Sequence, residues 1–142
     1  MTHTQISLED PKRLRPYSGN ARTHSRKQVL QIVESIRRFG FNNPVLVSDE
    51  GEIIAGHGRV EAAKILGLET VPTLRLSHLS PEERRAYVLA DNKLALNAGW
   101  DQELLATELQ FLVDLDFDVT LTGFSQVEVD FTLDLARDSA PE

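Results

Sequence analysis

One segment constrains the fold of this chain more than any other. Glu52-Ile53-Ile54-Ala55 runs without a break into Gly56-His57-Gly58-Arg59 and on into Val60-Glu61-Ala62-Ala63-Lys64-Ile65-Leu66-Gly67. The first four residues have the apolar, β-branched character of a strand. From Arg59 to Leu66 the pattern is helical, with Val60, Ala63 and Leu66 inward and Gly67 closing the helix. A chain that turns from a buried strand into a helix within three residues needs glycine, which adopts left-handed backbone freely and lets a ligand approach the main chain. The same corner leaves the first helical amides without intrahelical partners, and their partial positive charge suits a phosphate. Arg59 adds a planar fork of donors matched to phosphate oxygens, and His57 donates to phosphate or titrates near neutral pH. On spacing alone, a plain glycine turn with a solvated Arg59 accounts for the segment equally well. It is neither a Walker A loop nor a dinucleotide fingerprint.

The surrounding pattern predicts a mixed α/β (α+β) domain. Ser25 and Gln28 have capping-box spacing at the start of a helix from about Ser25 to Phe39. Val29, Ile32, Val33 and Ile36 form its apolar stripe, and Gly40 ends it. Pro44 to Ser48 reads as a strand, Asp49-Glu50-Gly51 as a tight turn, and Glu52 to Ala55 as the returning strand. Thr70 to Leu76 is a further strand, placed at an edge or bulged because of Pro72. Residues 1–24 are irregular, with Leu14 to Tyr17 a short edge strand and Pro11 and Pro16 breaking any helix. Ser80-Pro81-Glu82-Glu83 opens a helix running to about Ala98. Asp101 caps another through about Val113, and Ser125 with Glu128 opens a last one to about Arg137. The division expected is 1–100 for the α/β domain and 101–142 for an acidic helical extension.

Charge sharpens that division. Residues 1–98 carry 14 Lys and Arg against 11 Asp and Glu, a net of +3. Residues 99–142 carry 1 against 11, a net of −10. Neutralising DNA phosphates takes clustered cations, so contact with a duplex is expected in residues 1–98 or through a fused domain. With Cys count 0, disulfides and thiolate metal sites are excluded, as is chemistry by a cysteine of its own. No run of apolar residues is long enough for a membrane span, and Met1 to Lys12 lacks a secretory apolar stretch, so a cytoplasmic protein is expected.

Ile53-Ile54-Ala55-Gly56-His57-Gly58-Arg59-Val60-Glu61-Ala62-Ala63-Lys64 resembles the second box of the ParB N-terminal domain, and Leu66 to Pro72 resembles its continuation. The family pattern at the turn is typically Gly-Glu-Arg-Arg, with Gly-His-Gly-Arg in a divergent branch. Asn20-Ala21-Arg22 resembles the box before the first helix, and Ala90-Asp91-Asn92-Lys93 sits where the family carries Glu-Asn-x-x-Arg. The resemblance covers about residues 14–100. It implies a ParB/sulfiredoxin-like fold, a small mixed sheet with packed helices followed by a helical C-terminal segment, and a nucleoside triphosphate (CTP or ATP) with Mg²⁺ as cofactors. By position, Gly56, His57, Gly58 and Arg59 would contact phosphates, Arg22 would approach the nucleotide, and Lys93 would neutralise phosphate charge. Asn92 would hold the metal, with Asp91 as a metal-associated acid or base. The family's last arginine of that box falls at Ala95, and Gly58 replaces another, so two phosphate contacts are missing. Sulfiredoxin activity is excluded for want of a cysteine.

Three functions follow as alternatives. The first is a nucleotide-binding module of a DNA-associated protein, from a partition or DNA-modification system, with a homodimer expected from the resemblance. The second is a Mg²⁺-dependent nuclease or nucleotide hydrolase with Asp91 as base and His57 as acid. The third is a non-catalytic scaffold whose acidic helical tail binds a partner. The chain is expected to lack the helix-turn-helix DNA reader of partition proteins. Its tail, Leu115 to Ser125, resembles instead the variant ahead of DNA-methyltransferase domains in phage and mobile-element proteins. His3, His24 and His78 match no zinc spacing and are expected at the surface. Trp100 is expected to seal the core against the tail. Arg37-Arg38 and Arg84-Arg85 are expected as exposed helix charges, or as phosphate contacts.

Overall fold

The computed structural model describes residues 5–17 and 24–139. The chain divides into two compact units, Met1–Asn97 and Ala98–Glu142. Among the described residues, the first unit holds a four-stranded mixed sheet. Its strands are β1 (Ile6–Glu9), β2 (Val45–Val47), β3 (Ile53–Ala55) and β4 (Val71–Arg75), in the order β1-β4-β2-β3. β4 runs antiparallel to β1 and parallel to β2, and β2 and β3 are an antiparallel hairpin. The helices of this unit are α1 (Arg26–Phe39), α2 (His57–Leu66) and α3 (Pro81–Asn97).

Local chemistry explains each element. Ser25 Oγ accepts from the Gln28 amide at 3.1 Å while Gln28 Oε1 accepts from the Ser25 amide at 3.1 Å, so the α1 capping box is complete. The β2–β3 turn is built around Ser48, which is 1 % exposed. Its Oγ accepts from the Glu52 amide at 3.1 Å, and its carbonyl accepts from the Gly51 amide at 3.0 Å, with Gly51 at φ +79°. Val45, Val47, Ile53, Val60, Ala63 and Val71 form one core with Leu14. Val29 and Val33 of α1 pack on Ala62 of α2, joined by Ile32, Ile36 and Leu66. The two faces of α2 are thus committed to the sheet and to α1.

Four expectations are corrected. Ile6–Glu9 forms an edge strand in a stretch read as irregular, because pairing with β4 supplies its order rather than burial: Ile6 and Leu8 stay 62 % and 69 % exposed. Leu14 to Tyr17 is not a strand. Pro11–Arg13 is a 3-10 turn capped by Asp10, with Pro11 at its tolerated start, and Arg15 makes a single parallel bridge to Glu52. β4 is interior, not an edge; Pro72 stands opposite Leu8 just before Thr73, where pairing with β2 begins. Trp100 seals no core: it is 65 % exposed, with its ring centroid 5.4 Å from that of Phe124.

The second unit contains α4 (Gln102–Asp114), a 3-10 turn at Val119–Thr122, and α5 (Gln126–Ser139). Asp101 caps α4 by accepting from the Glu103 and Leu104 amides, each at 3.1 Å. Ser125 and Glu128 form the capping box of α5. Leu105, Ala106, Leu109, Val119, Val129 and Leu133 make a core of their own.

Candidate phosphate-binding corner

α2 begins at His57, two residues earlier than its apolar pattern indicates, so His57 and Gly58 belong to its first turn. Gly56 occupies the cap position in the left-handed region, φ 103° and ψ 23°, and no side chain caps the helix. That first turn lines a cavity of about 150 Å³ and has no side-chain cap for its amide donors. Gly56, His57, Gly58 and Arg59 line it together with Asp91 and Asn92 of α3, and His24, Ile32, Ile54, Ala55 and Val88 complete it.

Arg59 is the dominant group. Its Nη2 donates to the Pro44 carbonyl at 3.1 Å, while its Nε is buried with no hydrogen-bond partner. The guanidinium lies against Gly56 so closely that a Cβ there would sit 2.9 Å from Nη2. Burial lowers the pKa of Arg59 from its ordinary value, and the Asp91 charge opposes that shift. A partly desolvated guanidinium lining a cavity suits an oxyanion.

His57 is held differently. Its Nε2 accepts from the Tyr17 amide at 3.1 Å, which makes Nδ1 the proton-bearing nitrogen of the neutral ring. Burial pulls its pKa below the usual value, helped by the neighbouring His24 and opposed by Glu61. Gly58 serves packing: a Cβ there would meet Ile32 Cδ1 at 2.8 Å and His24 Cε1 and Nδ1 at 3.3 Å. Its small size lets α1 close over α2.

α3 carries the opposite wall. Ser80 and Glu83 form a capping box, with Ser80 Oγ accepting from the Glu83 amide at 3.2 Å and Glu83 Oε1 from the Ser80 amide at 2.9 Å. Arg84 Nη1 donates to Glu50 Oε2 at 3.1 Å, anchoring α3 to the β2–β3 turn. That corrects the expectation of a free surface charge for Arg84, whose side chain is only 21 % exposed. Arg85, Arg37 and Arg38 are exposed. Asp91 also raises the Tyr87 pKa, after burial as the larger cause.

The structure thus brings together Gly56, His57, Gly58, Arg59, Asp91 and Asn92. Lys93 is exposed and outside the cavity lining. Arg22 lies outside the described residues. His24, Ile32 and Val88 were not anticipated at the site. His24 had one available signal, since it immediately precedes the Ser25 cap of the helix that must lie over Gly58.

Residues 2–93 match the ParB N-terminal domain. Residues 103–142 match the ParB-methyltransferase HTH domain. This second match corrects the expectation that no helix-turn-helix follows and agrees with the resemblance of the tail to the methyltransferase-linked variant; a 3-10 turn ending at Gly123 joins α4 and α5 around one core. The chain is 57% identical over 72 residues to the ParB-like nuclease domain-containing protein YnaK of Escherichia coli, covering 51% of this chain and 83% of that protein. It is 39% identical over 74 residues to a probable chromosome 2-partitioning protein ParB of Deinococcus radiodurans, covering 50% of this chain and a span of 25% of that protein. In fold it is similar to the C-terminally truncated ParB of Caulobacter crescentus, crystallised with CTP-gamma-S, at a TM-score of 0.76 and 23% identity over 94% of this chain and 79% of that one. No helix among the described residues is long and apolar enough to cross a membrane. Family match, mixed sheet and glycine corner agree: the chain belongs to the ParB N-terminal domain family, the ParB-like domains of partition-type, DNA-associated proteins.

Proposed function

We propose that the first unit binds a nucleoside triphosphate, with CTP as the leading candidate and ATP as the alternative, together with Mg²⁺. The observation that carries this reading is the part-buried guanidinium of Arg59 lining one cavity with an uncapped helix start. Two kinds of anion-seeking donor converge there, and Asp91 is the one carboxylate lining the cavity among the described residues. The Caulobacter relative in complex with a CTP analogue supports the choice of nucleotide.

Size argues for the phosphate end of the ligand. Pockets that enclose a whole drug-sized molecule measure about 300–1,000 Å³, and this one measures about 150 Å³. The phosphates enter and the nucleoside lies across the rim. The α2 amides and Arg59 hold phosphate oxygens, and His57, fixed by the Tyr17 amide, offers Nδ1–H.

The donor set fits Mg²⁺. Among the described residues no cluster of three or more His, Cys, Asp or Glu could hold a metal unaided. Asp91 and Asn92, one carboxylate and one carboxamide residue, instead line the cavity wall. Mg²⁺ favours this kind of site, taking one or two side-chain oxygens and completing its shell with phosphate and water. The ion would also offset the repulsion between Asp91 and a polyphosphate.

The arrangement favours binding over turnover. Hydrolysis with Asp91 as base and His57 as acid needs a protonated imidazole, whereas burial and the Tyr17 amide stabilise the neutral one. The test is calorimetric titration of CTP, ATP and GTP with and without MgCl₂. Saturable, Mg²⁺-dependent binding that Arg59→Ala removes and Asn92→Ala weakens is expected. Flat titrations with all three nucleotides would end the proposal, and product release that Asp91→Asn abolishes would favour the hydrolase.

A further inference from the structure

The second unit matches a helix-turn-helix domain, yet its surface is built against DNA. In such domains the second helix enters the major groove, while phosphates are met by Lys and Arg. The second helix of this unit among the described residues is α5. It carries Glu128, Asp130, Asp134 and Asp138 against the single cation Arg137. Arg137 itself lies 3.5 Å from Asp134. Residues 98–142 as a whole hold one Arg and eleven Asp and Glu. Each carboxylate facing a duplex adds repulsion instead of releasing counterions.

The outer face of α5 is not merely acidic. Val127, Phe131 and Leu135 follow one another at four-residue spacing and are 77 %, 63 % and 48 % exposed. Of the buried residues of the same helix, Val129 and Leu133 project to the opposite side and Thr132 lies between them and the stripe. On a helical projection Asp130 and Asp134 border one side of the exposed stripe and Glu128 the other, with Asp138 at its C-terminal end. The stripe spans about 12 Å, two turns of a partner helix.

We infer that α5 is a protein-docking helix and that its occupant is a basic amphipathic helix of a partner protein, with an apolar ridge set between Lys or Arg side chains. Charge complementarity selects this occupant: an apolar ridge covers Val127, Phe131 and Leu135, and flanking cations meet Asp130, Asp134 and Asp138. A duplex offers neither. A second copy of this chain offers exposed cations on α1, at Arg26, Lys27, Arg37 and Arg38, but its two large exposed apolar side chains, Leu30 and Phe39, project to opposite sides of the helix and form no ridge.

The test uses the full chain and a synthetic 18-residue helical peptide with a Leu ridge and Lys elsewhere. Controls are the same peptide with Glu for Lys and a 20-base-pair duplex. The Lys peptide is expected to bind saturably, with chemical-shift changes in α5. Val127→Ser with Phe131→Ser, two exposed positions, should weaken it by about tenfold or more, and Asp130→Asn with Asp134→Asn should flatten its salt dependence. Circular dichroism confirms that the variants are folded. The inference is overturned if the Lys peptide does not saturate, if the serine variant binds it unchanged, or if the Glu peptide binds equally. It is also overturned if α5 substitutions abolish duplex binding or break a dimer seen by sedimentation. Nucleotide titration of the serine variant keeps the outcome separate from the proposal for the first unit.

Discussion

Replacing Gly56 by alanine isolates the physical core of the site. The residue sits at φ 103°, where a side chain costs about 1–2 kcal/mol. The new Cβ would also lie 2.9 Å from Nη2 and 3.2 Å from Cζ of Arg59, so the guanidinium must swing away. That forfeits the 3.1 Å bond to the Pro44 carbonyl, worth about 1 kcal/mol. The total expected loss is about 2–3 kcal/mol. In an Arg59→Ala background only the backbone cost remains, so the same substitution should cost about 1 kcal/mol less. Because Trp100 belongs to the second unit, the assay is native-state amide exchange at Val60, Ala62 and Ala63, which are 1 % exposed or less. A double-mutant cycle additive to within about 0.5 kcal/mol would refute the claim that Gly56 and Arg59 share one space.

Further outcomes follow from the same geometry. His57 has a folded pKa below its ordinary value. The unfolded chain therefore binds its proton first as pH falls, and the contribution of this group to stability is full above about pH 6.5 and is lost below it. Urea melts of His57→Gln, compared with the parent between pH 5 and 8, should show a shallower slope in that range. Ser80→Ala removes the α3 cap and should cost about 1 kcal/mol, with faster amide exchange at Arg84. Leu109→Ala, at a residue 2 % exposed in the second core, should cost about 2–5 kcal/mol and lower the midpoint of the Trp100 fluorescence transition.

Much of this structure is written locally. The Ser25, Ser80, Asp101 and Ser125 caps are side-chain-to-backbone contacts within three residues, and each shows in the order of residues. The β2–β3 turn is equally local. What stayed hidden depends on distant partners. Ile6 and Leu8 form a strand only because Val71–Leu74 offers an open edge. Arg84 loses its surface character only because Glu50, thirty-four positions away, reaches it. At the site, the glycine corner and the Asp91-Asn92 pair were legible as motifs. The commitment of Nη2 to Pro44, the Tyr17 amide on His57 and the place of His24 were not, since all three are set by packing between elements.

The lack of room above Gly58 limits how this corner can be redesigned. Restoring the arginine that the commoner Gly-Glu-Arg-Arg pattern carries there would drive a long cationic side chain toward Ile32 and His24, where even a methyl group has only 2.8 Å. Position 58 is therefore coupled to positions 24 and 32, whose side chains must shift or be trimmed in the same step to admit the larger residue.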